Sequence, residues 1–597
     1  VKLSLLIFFR DNFITGFSLL FPVRRMNLEE LILKYALINA YTHGGKANPK
    51  AVMGKVLGEN PGLRSRAREL IPLVGEIVEK VNAMNLREQE ARLRELHPEF
   101  FESKEDRKEE KKGLPPLPKA EKGKVVTRFA PNPDGAFHLG NARAAILSHE
   151  YARLYGGKFI LRFDDTDPKV KRPEPKFYDW IIEDLRWLGF KVDEVHMASD
   201  RLEIYYKYAE ELIRDGKAYV CTCKPEEFRE LRNRGIACPH RDEPVEVQLE
   251  RWRKMLNGEY REGEAVVRIK TDLNHPNPAV RDWPALRIID NPNHPRTGNR
   301  YRVWPLYNFA SAIDDHELGV THIFRGQEHA ENETRQRYIY DHFGWEYPVT
   351  VHHGRLSIEG VVLSKSKTRK GIQEGKYLGW DDPRLGTIRA LKRRGIRPEA
   401  IRELIVKVGV KRSDTTVSWD NLAAINRRIV EPLANRYFFV ADPVEMHVEG
   451  YDEGFTAEIP LHPDHPERGV RRLRFEPGKP LYVSRDDMEL FKPGSFVRLK
   501  DLFNVEITEV EGGRIRARFH SMDYEVAREN RWRMVHWVPE GKPCEVIVPE
   551  GDELLIRKGL LEKDADVRVD DIVQFERFGF VRIDEVGEKV VGIFAHR

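Results

Sequence analysis

Apolar residues recur at helical spacing in "NLEELILKYALINAYTHGG" and again in "SRARELIPLVGEIVEKVNAMN", so two helices are predicted near the start, the first closing on a glycine pair. They form a helical module over residues 26–100. In "FESKEDRKEEKKGLPPLPKAEKGK" the period vanishes into a charge run and prolines, the texture of an exposed linker over residues 101–124. Short apolar runs such as "VVTRFA" and "KFILRF" then alternate with helical stretches such as "DWIIEDLRWLGF" as far as about Pro305. That alternation predicts strands joined by helical crossovers, hence an α/β fold on a parallel sheet. Helical spacing returns in "GTIRALKRRGI" and "PEAIRELIVKVG". From about Arg436 the pattern becomes short alternating strands with Gly, Pro and Asp turns, as in "GSFVRLKDLFNVEITEVEGGRIRARF", which predicts one or two β-barrels.

A chain of 597 residues exceeds what one hydrophobic core organises, so several domains are expected. Charged residues make up 33% of it while the net charge is only +4, so any nucleic-acid contact must be a local basic patch. Three of the four cysteines crowd between Cys221 and Cys238, which does not match the pattern of an extracellular disulfide framework and reads as a reducing cytoplasm. Apolar runs in the first 25 residues are divided by Arg10 and Asp11 and are too short to span a bilayer. They also lack the small-residue cleavage site of a signal peptide. Met26 begins the clean helical pattern, so residues 1–25 read as an upstream extension, and no membrane partner is expected.

The stretch "NPDGAFHLGNARAAI" places a tight connection between the strand "VVTRFA" and a helix, read as amphipathic, that ends at Gly156 and Gly157. Strand, turn and helix start together aim free N–H groups and a helix dipole at an anion, so a phosphate-bearing ligand is expected. His138 and Asn141 bring hydrogen-bonding side chains to the helix entry, and Gly140 leaves room for a flat ring. In isolation, the same residues would serve as a capping Asn141 and a buried His138. The longer run "RFAPNPDGAFHLGNARAA" resembles the "HIGH" motif of class I aminoacyl-tRNA synthetases, in the form of the glutamyl branch, with Asn141 where the second His usually stands. Far downstream, in "GRLSIEGVVLSKSKTRKG", Ser364, Lys365 and Ser366 match the end of the family's "KMSKS" loop, while Val362 and Leu363 replace its first Lys and Met.

The resemblance implies ATP, accompanied by Mg²⁺, whose α-phosphate is attacked by a carboxylate. Charge then builds on phosphoryl oxygens and departing pyrophosphate, and positioned cations and donors lower that barrier without a covalent group from the protein. His138 and Lys365 are the implied catalytic residues, with Lys367 a helper, and Pro131, Asn132, Gly140, Asn141, Glu328 and Ser364 join them around the nucleotide. In "LRFDDTDP", Asp164 falls on the family position that holds the substrate ammonium; a capping or calcium-like acidic turn is the other reading. "WPLYNFASAIDDHELGVTHIFRGQEH" resembles the second half of the nucleotide-binding domain, and Tyr307, Ser311 and Arg325, with Arg128, fall on positions lining the amino-acid pocket. A buried guanidinium binds a planar carboxylate with paired charge-assisted bonds, which favours glutamate over glutamine. Arg325 could instead be a structural ion pair with Asp314, Asp315 or Glu317.

Cys221, Cys223, Cys238 and His240 form a C-x-C, fourteen residues, then a C-x-H, a donor set suited to tetrahedral Zn²⁺; three buried unligated thiols are the alternative. Some glutamyl-tRNA synthetases carry a similar set in the insertion facing the tRNA acceptor end, which implies a structural zinc. Lys392, Arg393 and Arg394 fall in a region that resembles the family's stem-contact helices and could meet tRNA phosphates. The β-rich end resembles the archaeal type, whose barrels suit single-stranded anticodon bases.

The reading is therefore a multidomain α/β protein. It has a Rossmann-like catalytic domain in two halves (125–205 and 305–370), an acceptor-end insertion (206–304), a stem-contact region (371–435) and anticodon-binding barrels (436–597). The implied activity is ATP-dependent formation of glutamyl adenylate from L-glutamate and transfer to the 3′-terminal adenosine of tRNA(Glu), with tRNA(Gln) a second candidate acceptor. A glutaminyl enzyme and a catalytically dead tRNA-binding scaffold are the alternatives.

Overall fold

The computed structural model describes residues 28–42, 45–59, 63, 66–97, 100 and 113–597. The upstream extension read at residues 1–25 and residues 101–112 of the linker lie outside them. The chain divides between Gly113 and Leu114 into two units. In the first, helices Leu28–Thr42, Pro49–Glu59, Ala67–Ala83 and Leu86–Leu96 close on a core that includes Ile32, Ala36, Val52, Val78 and Leu93. Asn85 and Glu88 form a capping box on the last helix, satisfying N–H groups that a helix start leaves open. Gln89, fully buried, donates its amide to the carbonyls of Gly45, Val81 and Met84, which ties the connections to that helix.

In the second unit, β1 (Val126–Phe129), β2 (Lys158–Phe163), β3 (Glu194–Met197), β8 (His322–Gly326) and β9 (Val349–His353) form one sheet in the order β3-β2-β1-β8-β9. Every pairing in it is parallel. Strand order reverses between β1 and β8, and in open α/β sheets ligands bind outside the carboxyl ends of the strands at that point. The parallel reading up to Pro305 is corrected for the strands between: β4 (Ala218–Cys221), β5 (Val266–Ile269), β6 (Pro284–Ile288) and β7 (Val303–Pro305) form a separate antiparallel sheet. From β5 to β7 the strands are joined without an α-helix, and parallel neighbours need a helical crossover.

The helix Leu139–Leu154 was expected to be amphipathic, yet it is buried nearly all round. It packs on β1, β2 and β8 and also against helix Pro398–Val408, so neither side is left to water. Its Arg143 is fully buried and fully occupied, donating to the carbonyls of Gly354, Gly409 and Lys411 at 2.6, 2.9 and 3.1 Å.

Two seven-stranded, barrel-like sheets make up the β-rich end. The chain starts one with Arg436–Tyr437 and Phe439–Ala441, builds the other from Pro443 to Val538, and returns to complete the first from Gly541 to His596.

Candidate active site

The connection after β1 carries Pro131, Asn132, Asp134 and Gly135 to the sheet's carboxyl edge and turns into the helix at His138. His138, not Asn141, is the N-cap: its Nδ1 accepts from the Asn141 N–H at 3.3 Å. That bond assigns the ring proton to Nε2, leaving a neutral donor at the helix entry. Burial, with the Lys365 ammonium adding to it, holds the imidazole at about 4, so the ring is neutral at physiological pH. The side-chain oxygens of Asn132 and Asn141 are buried without a protein partner. They stand in the part of the site read as nucleotide-binding, where a ligand donor would relieve them.

Lys365 opens the helix Lys365–Gln373, capped by Ser364. Its Nζ donates to the Asn132 carbonyl and to Asp134 Oδ1, both at 2.7 Å, so the downstream loop is docked on the connection after β1. Burial pushes its ammonium below the usual lysine range, with Asp134 opposing. Gly135 is required here, because a Cβ would stand 2.9 Å from Trp380 and 3.2 Å from Lys365. Lys367, by contrast, is exposed. Glu328 lies just past β8, 3.8 Å from Arg355.

The part of the crevice read from sequence as amino-acid-binding is organised by a residue that sequence reasoning passed over. Arg162, the penultimate residue in the apolar run of β2, is fully buried and donates to Asp164 Oδ1 at 2.9 Å, Asp315 Oδ1 at 2.8 Å and Ser311 Oγ at 2.9 Å. Its signal was a charged residue in a run otherwise made of core residues. Arg128 binds Asp315 through two parallel bonds of 3.0 and 3.1 Å. Burial alone would raise the Asp315 carboxyl, but Arg128 and Arg162 together hold it at about 2. Arg128 therefore spends its fork on Asp315, while Ser311 is engaged by Arg162. Asp164 keeps Oδ2 without a partner, and burial raises its carboxyl against the pull of Arg162. Tyr307, at the start of helix Tyr307–Glu317, is 38% exposed.

Arg325, at the end of β8, is 4% exposed. Only Nη1 is engaged, donating to Gln336 Oε1 at 3.1 Å, and Nε and Nη2 have no partner. The ion pair with Asp314, Asp315 or Glu317 that sequence left open does not form: Asp315 goes to Arg128 and Arg162, Asp314 to Arg201 and Tyr205, and Glu317 to Tyr208. A buried guanidinium with two free donor nitrogens at the end of β8, and a carboxylate with one free oxygen just past the end of β2, offer the two kinds of group that an amino acid's carboxylate and ammonium need.

Replacing Arg162 with methionine is expected to leave Asp164 and Asp315 short of a buried counter-charge and to lower unfolding stability by about 3–5 kcal/mol. Urea denaturation measures this; a loss below about 1 kcal/mol would show that Arg162 is not the hub.

Comparison with known proteins fits this geometry. The model of the class I tRNA synthetase (E and Q) catalytic domain matches residues 124–432, and two models of the E and Q anti-codon binding domain match residues 434–524 and 534–584. A protein named glutamate–tRNA ligase from Thermococcus onnurineus is 84% identical over 96% of this chain and all of its own length. Proteins of the same name from Pyrococcus abyssi and Methanothermobacter marburgensis are 80% and 50% identical over the same shares. The chain belongs to the class I tRNA synthetases of the E and Q group.

Within this synthetase, Cys221, Cys223, Cys238 and His240 come together at the edge of the inserted sheet. The Cys238 sulfur lies 3.5 Å from that of Cys221 and 3.4 Å from that of Cys223, and His240 Nδ1 lies 3.4 Å from both Cys223 and Cys238. Ligands about 2.3 Å from a tetrahedral ion stand roughly 3.8 Å apart, so the four atoms fit such a centre. Thr222 Oγ1, 3.0 Å from His240 Nε2, fixes the ring from behind.

Two of the three basic residues expected to meet tRNA phosphates are occupied within the synthetase. Arg393 pairs with Asp381 and Asp584, and Arg394 is buried with its guanidinium 3.6 Å from the Trp419 ring centre, donating to the Pro383 and Ala595 carbonyls. They bind the connecting helices to the β-rich end. Among the described residues, no helix is long and apolar enough to cross a membrane.

Proposed function

We propose that this synthetase is a glutamate–tRNA ligase, in which ATP and L-glutamate give glutamyl adenylate and the 3′-terminal adenosine of tRNA then attacks the activated carbonyl. The observation that carries this reading is Arg325, buried, charged and holding two donors free. A substrate carboxylate satisfies those donors and neutralises the charge, whereas a glutamine amide leaves the charge buried and uncompensated. Asp164 Oδ2 supplies the opposite need at the substrate ammonium, and Tyr307 and Ser311 line the space between. On the nucleotide side, Pro131, Asn132, Gly140, Asn141, Glu328 and Ser364 surround ATP, with His138 as neutral donor and Lys365 as the cation that meets charge developing on the phosphates. Mg²⁺ accompanies ATP as counter-charge. The relatives' shared name supports the assignment. The domain limits proposed from sequence, including the acceptor-end insertion (206–304) and the stem-contact region (371–435), are retained on this reading.

The test is aminoacylation of purified tRNA(Glu) and tRNA(Gln) with glutamate and glutamine in parallel. Glutamate should be attached to tRNA(Glu), and the parallel reaction with tRNA(Gln) shows whether that second candidate acceptor is charged as well. Exclusive attachment of glutamine would favour the glutaminyl reading and defeat this one.

The inserted cluster is proposed to hold a structural Zn²⁺, since four protein donors leave no open coordination position. One equivalent of zinc per chain is expected by metal analysis, lost on combined replacement of Cys221 and Cys223 by serine together with a fall in melting temperature. Metal-free protein of full thermal stability would refute the site. Thiolate ligation of this kind belongs to a reducing compartment, and a cytoplasmic location is proposed on that ground.

A further inference from the structure

We propose that Gln336 is a positioning residue that sets the choice of glutamate over glutamine, by orienting Arg325 without neutralising it. The inference rests on the glutamate–tRNA ligase reading. Gln336 is fully buried on helix Ala330–Phe343, eleven residues beyond Arg325 in the chain. Its Oε1 accepts from Arg325 Nη1 at 3.1 Å and from the Tyr347 hydroxyl at 2.7 Å. A guanidinium only donates, so the amide oxygen must face it, and Nε2 is left without a partner. Tyr347 is itself held, edge-on to Tyr340 at 4.8 Å and beneath the Arg337 guanidinium at 4.4 Å.

The contrast with Arg128 gives the arrangement its meaning. Both arginines are buried at the ends of neighbouring parallel strands, and both are held by a side chain from another element. Arg128 is held by a carboxylate, which consumes its charge together with both bonds of its fork. Arg325 is held by an amide through one nitrogen, and among the described residues no carboxylate stands within ion-pair distance of it. Its Nε and Nη2 donors therefore remain for a ligand, and its charge, though felt by Asp315, is closed by no ion pair. A glutamate at position 336 would fill the same volume and accept the same bonds, but would close a buried ion pair with Arg325 and remove the charge that rejects glutamine.

The test is ATP–pyrophosphate exchange by the full chain with saturating tRNA(Glu), which on the family resemblance helps to arrange the first step, comparing wild type, Q336E and Q336L. Wild type must activate glutamate; if it does not, the functional reading itself fails. Given that activity, Q336E should lower kcat/KM for glutamate roughly 100-fold and narrow the glutamate-to-glutamine ratio by a similar factor, with the KM for ATP unchanged. Q336L removes the anchor but keeps the charge, so it should raise the KM for glutamate about tenfold while the preference survives. A Q336E enzyme with the wild-type ratio overturns the proposal, as does a Q336L enzyme that loses its preference. If Q336E does not fold, Y347F carries the test. Freeing the amide should raise the KM for glutamate several-fold at constant KM for ATP, and an unchanged value overturns the proposal.

Discussion

Replacing Lys365 with alanine is expected to reduce glutamate-dependent ATP–pyrophosphate exchange about 10²–10³-fold, the usual cost of deleting one preorganised group that meets transition-state charge. Nζ is already held at the site, bridging the Asn132 carbonyl and Asp134, so it needs little rearrangement to turn to a phosphate. Its helix is held by Arg369, which reaches the Asp134 carbonyl and Glu174. The lost Lys365 contacts should therefore leave the fold and tRNA binding intact. An enzyme that keeps its exchange rate without Lys365 would return the catalytically dead, tRNA-binding scaffold to contention.

The second large effect is expected at Arg325. In the R325Q variant the side-chain carboxylate of glutamate would enter a buried site with no counter-charge, a loss of about 3–5 kcal/mol and hence roughly 10²- to 10⁴-fold in kcat/KM for glutamate. Glutamine should lose far less, because its amide never gained from the charge. R325K should fall between, since an ammonium supplies charge without the planar fork. Exchange assays over a range of both amino acids, at saturating ATP and tRNA, read this directly. A variant that still prefers glutamate strongly would place the discriminating charge elsewhere.

Much of this site was legible because its residues sit in short runs at element ends. "NPDGAFHLGN" fills the connection between β1 and its helix, "LRFDDTDP" ends β2, and "FRGQEH" ends β8. A parallel sheet gathers those ends at one edge, so recognising each run was enough to bring them together. What could not be read were partners chosen by the fold. Arg162 meets Asp315 across 153 residues, and nothing in the local pattern announces that Asp315 is spent on Arg128 and Arg162 while Arg325 goes free. Gln336 is similarly silent, a polar residue on a charged helix until its burial is known.

Periodicity failed where elements are buried on all sides or paired at a distance. The helix Leu139–Leu154 shows no polar face because a second helix layer covers it. The antiparallel insertion and the return of the chain to its first β-sheet depend on which strands meet, and strand pattern alone does not encode that. At Arg393 and Arg394 the basic run could not tell of the joint that both make with the β-rich end, because such a run reads the same whether it faces water or a neighbouring domain.

The most direct test of the account is a crystal structure of the chain with a non-hydrolysable glutamyl adenylate analogue. Arg325 Nε and Nη2 should both donate to the glutamate side-chain carboxylate, with Asp164 Oδ2 on the ammonium and Lys365 at the phosphate position. A complex in which Arg325 faces away from the ligand, or in which the nucleotide lies remote from His138, would contradict it.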